Sequence, residues 1–470
     1  MTKPEITPIV SMRDVASPFL TSIQENAVKP IEPVLLEFKK DMSQLTAKSD
    51  IPVLYKQNTT NDLFQLIYVF DMGNNNDKAL GTAFDYLEYL GTSDMTPEEL
   101  KSEFYRLACT FYVSPGNERT YVVLSGLNEN MPAAMQLFEK LLADAQVNKE
   151  AYNNLVGDIL KARADAKLNQ GQNFSRLMNY AMYGPKSPAT NLLTEAELAS
   201  MNPQELVDRI HNQNNYKHRI LYHGPSSSKD LLATIEQYHQ VPATLKDIPA
   251  GNEYSYLETP ATKVLVAPYE AKQIYMAQIS NLDKKYDPAI EPTRELYNEY
   301  FGGGMNSIVF QEMRETRGLA YSAWASIMPP SYLKYPYVLR TQIATQNDKM
   351  AQAIDAFDEI INNMPESEAA FKLAKEAVLT NLRTSRTIKD EVLWKYIANK
   401  DLGVTEDRNK AIFEKVQDMT FADLKAAQEQ WIKDRKYTYC ILGDLKDLDQ
   451  DYLRKLGTVQ IVSQKEMFGY

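Results

Sequence analysis

From Ile51 onward the chain alternates short apolar runs with amphipathic stretches, and the same succession occurs twice. Strand-like runs at Val53–Tyr55 and Leu63–Phe70 flank the polar segment Asn58–Asp62, a spacing that predicts a hairpin. Helical periodicity follows from about Asp77 to Leu90 and from Thr96 to Leu107, the second opened by a Thr-Pro-Glu-Glu start signal. Two further strands are expected at Cys109–Val113 and Thr120–Leu124, joined through Ser114-Pro-Gly-Asn117, which is good turn chemistry. Long helical stretches over 131–145 and 149–169, shorter helices to His211, a strand at 218–222 and a helix at 228–239 complete the first copy.

The stretch Val241–Thr262 holds Pro242, Pro249, Gly251 and Pro260, a linker composition. Strands at 264–266 and 274–279 then precede helices at 293–301 and 306–316, strands near 320–327 and 336–344, further helices and a strand at 437–442. Glu88-Tyr-Leu-Gly91 is echoed by Glu299-Tyr-Phe-Gly302, and Met201-Asn-Pro-Gln-Glu-Leu206 by Met419-Thr-Phe-Ala-Asp-Leu424, each followed by a strand ending on glycine. Two matching starts and two matching ends indicate internal duplication. The expected fold class is α+β, with two like sandwich domains, each a mostly antiparallel sheet with helices packed on it. The boundaries read as an arm or linker at 1–50, with an amphipathic patch at Val34–Lys40, a domain at 51–240, a linker at 241–262 and a domain at 263–470.

Composition narrows the function. At 470 residues the chain exceeds one core, and 44% hydrophobic with 24% charged residues is ordinary for a globular protein. Net charge is -11 without a basic block, which argues against a nucleic-acid surface. No apolar run is long enough for a membrane span, and the N-terminus lacks the order of a secretory signal. The compartment stays open: periplasmic or extracytoplasmic if a precursor carries a signal. Cys109 and Cys440, each in an apolar run, read as buried hydrophobes.

Chemistry-bearing residues are few. His211, His218, His223 and His239 fall in one window, but the odd spacing of His218 and His223 in a strand sends them to opposite faces, so surface or capping roles are expected for the four. Gly302-Gly-Gly304 lacks the following Lys-Ser or Lys-Thr of a phosphate loop and reads as a helix cap with a flexible loop. What distinguishes the second copy is Arg314 and Tyr321, in Phe310-Gln-Glu-Met-Arg-Glu-Thr-Arg-Gly-Leu-Ala-Tyr321.

This segment, with the element order from residue 50 to the end, resembles the M16 peptidases, the insulinase and processing-peptidase group. The resemblance implies that Arg314 grips substrate backbone and that the Tyr321 hydroxyl steadies charge on the scissile carbonyl oxygen. Arg317 is a possible second contact or a salt-bridge partner. Catalytic modules of the family carry His-x-x-Glu-His; counting back from Gly91-Thr92, this chain has Thr82, Asp85 and Tyr86 at the matching positions, with both imidazoles missing. The later glutamate ligand has no clear match around Lys161–Asp165. With Glu88, the three could form only a weak oxygen site for a hard cation. The resemblance therefore implies a non-catalytic half with no catalytic residue and no metal or other cofactor of its own. Its expected partner is an N-terminal His-x-x-Glu-His half holding Zn2+, on the same precursor or a separate subunit, and its substrates are peptides. The alternative is a purely structural or binding subunit, like the non-catalytic core proteins of a respiratory complex.

Overall fold

Both faces of the central strands are buried, which is why their sequences run apolar without strict alternation. The computed structural model describes residues 17–26, 29 and 31–470; the rest of the expected arm, residues 1–16, 27, 28 and 30, lies outside the described residues. The described residues form twelve strands: β1 Ser43–Thr46, β2 Pro52–Gln57, β3 Leu63–Phe70, β4 Cys109–Pro115, β5 Thr120–Leu127, β6 Arg219–Gly224, β7 Lys263–Pro268, β8 Gln273–Lys285, β9 Ala320–Met328, β10 Pro336–Gln346, β11 Thr438–Gly443 and β12 Thr458–Ile461. They form two six-stranded sheets, ordered β1-β2-β6-β3-β5-β4 and β12-β7-β11-β8-β10-β9. Over five of the six strands the orders coincide, so the duplication is one of structure. The α+β class and two-module architecture are as the sequence indicated.

The expected hairpin does not form. β6 lies between β2 and β3, parallel to the first and antiparallel to the second, and β11 takes the same place between β7 and β8. The Asn58–Asp62 connection is wide enough to span that strand: Asn58 organises it by bonding Asn61 and the Leu63 carbonyl, and its N–H donates to the Gly224 carbonyl at the end of β6. Ile220, Leu221 and Tyr222 are buried, as a strand delivered late into the middle of a sheet must be. The outermost strands differ in origin. β1 precedes its sheet and pairs antiparallel with β2, whereas β12 follows its sheet and pairs parallel with β7.

Alternate side chains divide each sheet between two cores. In the first, Val53, Leu66, Tyr68, Phe70 and Ile220 meet the module's own helices, including Leu80–Leu87 and Met131–Asp144. Leu54, Ile67, Val69 and Leu221 face the other way and pack on Val392, Leu393 and Ile397 of the Glu391–Asp401 helix, which belongs to the second half of the chain, and on Phe38 and Met42. The second sheet repeats the arrangement. Its Leu265, Ala277, Ile279, Cys440 and Leu442 pack on Phe174, Leu177 and Ala181 of the Gln170–Tyr183 helix from the first half. Each module thus lends a helix to cover the other's sheet. Both cysteines are free and buried, and burial pushes the Cys440 thiol up to about 12.

Candidate functional site

The Arg314 and Tyr321 segment begins with the Glu291–Asn298 helix, which passes into a π-helical turn at Glu299–Gly303 lying along the edge strand β9. Asn298 covers that edge: its amide donates to the Ile327 carbonyl at 3.1 Å and its carbonyl accepts from the Ile327 N–H at 2.8 Å. The glycine run does cap this turn, at Gly304, while Gly302 lies inside it for a different reason. A Cβ there would sit 2.0 Å from the Ala325 carbonyl oxygen, so the turn lies against β9 only because the side chain is missing.

The chain next enters a short helix at Ile308–Phe310, capped by Ser307, that widens into a second π-helical turn at Gln311–Thr316. The Arg317 N–H bonds the Glu312 carbonyl five residues back, and Gly318, at φ 58°, reverses the chain into β9. Val309 and Met313 anchor this segment in the core. The start of β9 holds another extra residue. Ala320 pairs with Thr345 and Ser322 with Ala344, leaving Tyr321 as an unpaired bulge.

These two insertions bring the pair together. The Arg314 guanidinium lies 4.5 Å from the Tyr321 ring centroid and 5.0 Å from that of Phe310, and its Nε is 3.5 Å from Glu315. Tyr321 is 81% exposed, which leaves its hydroxyl open to an incoming group. Arg317 is occupied by Glu359 at 2.8 Å and Glu312 at 3.4 Å, so of its two expected roles the ion-pair one is the observed one.

The positions matching the metal motif do not converge. Tyr86, at 0% exposure, points into the core and caps the Lys149–Leu168 helix: its hydroxyl donates to the Asn148 carbonyl at 2.6 Å and accepts from the Asn148 N–H at 2.8 Å. Thr82 is half-buried and Asp85 exposed. Partial desolvation, and secondarily Glu88, hold the Asp85 carboxyl above the ordinary range. A spent phenol, a hydroxyl and one carboxylate do not fit Zn2+, which prefers nitrogen and sulfur donors. Among the described residues no group of three or more His, Cys, Asp or Glu side chains could hold a metal ion.

Two histidines depart from the surface role expected of them. His218 (6% exposed) and His239 (0%) face each other with Nε2 atoms 2.9 Å apart, and His239 Nδ1 lies 2.6 Å from Glu139 Oε1. His218 Nδ1 lies 2.7 Å from the Tyr216 carbonyl, which can only accept, so its Nε2 receives the proton of His239. The Glu139 carboxylate also accepts from the Tyr68 hydroxyl, the Asn214 amide and the Gln240 N–H. Burial first, and then His239, lower the His218 pKa to about 3, so this ring is neutral. Sequence spacing missed the pair because the two residues lie on different elements and meet only through the helix Ser228–Tyr238.

With this geometry established, similarity to known proteins becomes informative. The family described as the peptidase M16 inactive domain matches residues 219–378, which include Arg314 and Tyr321. An uncharacterized zinc protease of Rickettsia felis is 21% identical over 263 residues, a match spanning 53% of this chain and 60% of that relative. The crystal structure of a peptidase M16 inactive domain from Pseudomonas fluorescens superposes with a TM-score of 0.68 at 17% identity, covering 86% of this chain and 98% of that one. The periplasmic protease PqqL of Escherichia coli also gives 0.68, at 14% identity, over 94% of this chain and 49% of PqqL. The fold is that of an M16 inactive domain. Residues 219–378 thus resemble the M16 inactive domain, and the chain spans less than two thirds of the length of the zinc proteases it is similar to. Among the described residues no helix is long and apolar enough to cross a membrane.

Proposed function

We propose that this chain is the non-catalytic half of an M16 zinc metalloendopeptidase, enclosing peptides whose hydrolysis takes place on a partner half bearing His-x-x-Glu-His and the metal. The observation carrying this is the exposed Arg314–Tyr321 pair, delivered by one extra residue in a helix and one in a strand. The two side chains they present lie outside the core, while Met313 of the same turn holds the segment in it. The superposition on about half of PqqL supports a half-sized role. In this reading Arg314 swings from the ring to hold peptide carbonyls through its planar fork of donors, and the Tyr321 hydroxyl donates to the oxygen on which charge develops.

The test compares the chain alone, a His-x-x-Glu-His half alone, and the two together on a fluorogenic peptide. Only the mixture should cleave. Tyr321→Phe in the mixture should lower kcat/KM by about a hundredfold or more, and Arg314→Ala by a similar factor with a larger share in KM. Unchanged rates for both variants would favour the purely structural subunit. EDTA-sensitive cleavage by the isolated chain would overturn the division of labour.

A further inference from the structure

Where the two modules meet, the chain gathers a set of tyrosines that the Arg314 region does not use. Tyr183 ends the Gln170–Tyr183 helix, Tyr256 lies between the sheets in sequence, and Tyr332 and Tyr335 lie between β9 and β10. Tyr256 stacks on Tyr335 with ring centroids 4.7 Å apart, and Tyr183 meets Tyr256 edge-on at 5.0 Å. Tyr332 stands edge-on to Tyr335 at 6.4 Å. The connection between β4 and β5 adds Glu118, whose Oε1 accepts from the Tyr335 hydroxyl at 3.1 Å.

Two cavities adjoin at Glu118, Arg119 and Tyr332. One, of about 300 Å³, is walled by Tyr183, Tyr256 and Tyr335; the other, of about 440 Å³, is lined by Asp71, Glu253, Asp401 and Lys334. Lys334 pairs with Glu118, and its Nζ lies 5.0 Å from the Tyr335 centroid and 5.7 Å from that of Tyr332. Its side chain stays half exposed, so the ammonium is held by ring faces and a carboxylate rather than by burial. Arg119 is paired with Asp401 and Asp71 at 2.7 Å, and its guanidinium lies 5.3 Å from the Tyr332 centroid, so the face open to a further cation is that of Tyr335. Desolvation raises the Tyr332 hydroxyl to about 12, so that ring remains neutral at physiological pH.

The geometry points to a recognition site for the basic side chain of a peptide, lysine or arginine, in which Lys334 is a tethered stand-in that the incoming cation displaces. The occupant already present shows the chemistry the site accepts. Asp71 and Asp401 are paired with Arg119 and Arg219, and Arg119 stays over the Tyr332 ring, so removing Lys334 leaves Glu118 beside the Tyr335 face without its cation. The source of the cation rests on the peptide-substrate reading; the site itself does not.

Calorimetric titration of the full chain with N-acetyl-lysine amide and N-acetyl-arginine amide tests it, with N-acetyl-norleucine amide as the uncharged control. Lys334→Met should bind both cations about tenfold more tightly than the parent, because the tethered competitor is gone. Adding Glu118→Gln should abolish that gain, and norleucine amide should not bind. Equal affinity of parent and Lys334→Met, or norleucine binding as well as lysine, would overturn the proposal. Lys334→Gln carries the same expectations should the methionine variant be insoluble. Because the readout uses neither a peptidase partner nor Arg314, failure here leaves the proposed function standing, and failure there leaves this site measurable.

Discussion

The two modules share strand order but part ways where the second long segment of helix turns into the edge strand. In the first, the Pro97–Arg106 helix is regular, β4 pairs with β5 without a register shift, and Phe104 packs on Phe111 with ring centroids 4.9 Å apart. In the second, the helix widens, β9 bulges, and a cation and a phenol replace the aromatic contact. An identical frame thus supports either an apolar closure or an exposed polar pair, and one added residue per element makes the difference. Irregularities of this kind cost stability, so they mark where a fold has been bent to present side chains.

A second contrast lies in the cores. Glu139 and Asp358 are equivalent, each the same distance along the helix that begins at Met131 or Met350. Glu139 is met by His239, Tyr68 and Asn214, while Asp358 is met by Gln278 and Tyr439. The contrast can be broken from either side. His239→Ala strips a fully buried acid of its closest partner and should cost about 3–5 kcal/mol in urea unfolding, whereas Asp358→Asn, which keeps hydrogen-bonding capacity, should cost about 1–2 kcal/mol. Equal losses would show that the histidine pair adds nothing beyond an ordinary polar contact.

The exchanged helices should make the two modules behave alike. Leu177→Ala and Leu393→Ala each empty a core between a sheet and the helix lent by the other half, and each should cost about 3 kcal/mol. Both should shift one shared unfolding transition; separate transitions for the two modules would mean that the lent helices do not couple them.

Acid sharpens the difference with the smallest effect. The folded His218 pKa, about 3, lies below the ordinary 6.5, so the unfolded chain binds the extra proton as pH falls between those values, and stability falls with it. By pH 5 the loss should be about 2 kcal/mol, read as a lower denaturation midpoint. His218→Gln, even if less stable overall, should show a shallower slope against pH over that window. The second module has no histidine and supplies no such term.

Much of this was legible in the sequence, and the parts that were not share a cause. Turn chemistry, helix starts and apolar periodicity are written within about ten residues, so the duplicated order of elements, the α+β class and the segment carrying Arg314 and Tyr321 could be read directly. Those positions were found by motif; their contact, through a widened helix and a bulged strand, was not, because an extra residue in either element leaves local propensity almost unchanged. The buried role of Tyr86 could not be read locally, since the Asn148 backbone that claims its hydroxyl comes from a distant turn.

What the sequence by itself determined is therefore the inventory: two copies of a strand-and-helix series, no His-x-x-Glu-His anywhere in the sequence, and an arginine and a tyrosine present in only one copy. Tertiary structure alone decided which strand enters between β2 and β3, which helix covers which sheet, and that His218 meets His239. Those outcomes depend on apolar faces and polar groups far apart along the chain finding each other, where the free energy belongs to the pair and neither member's neighbourhood records it.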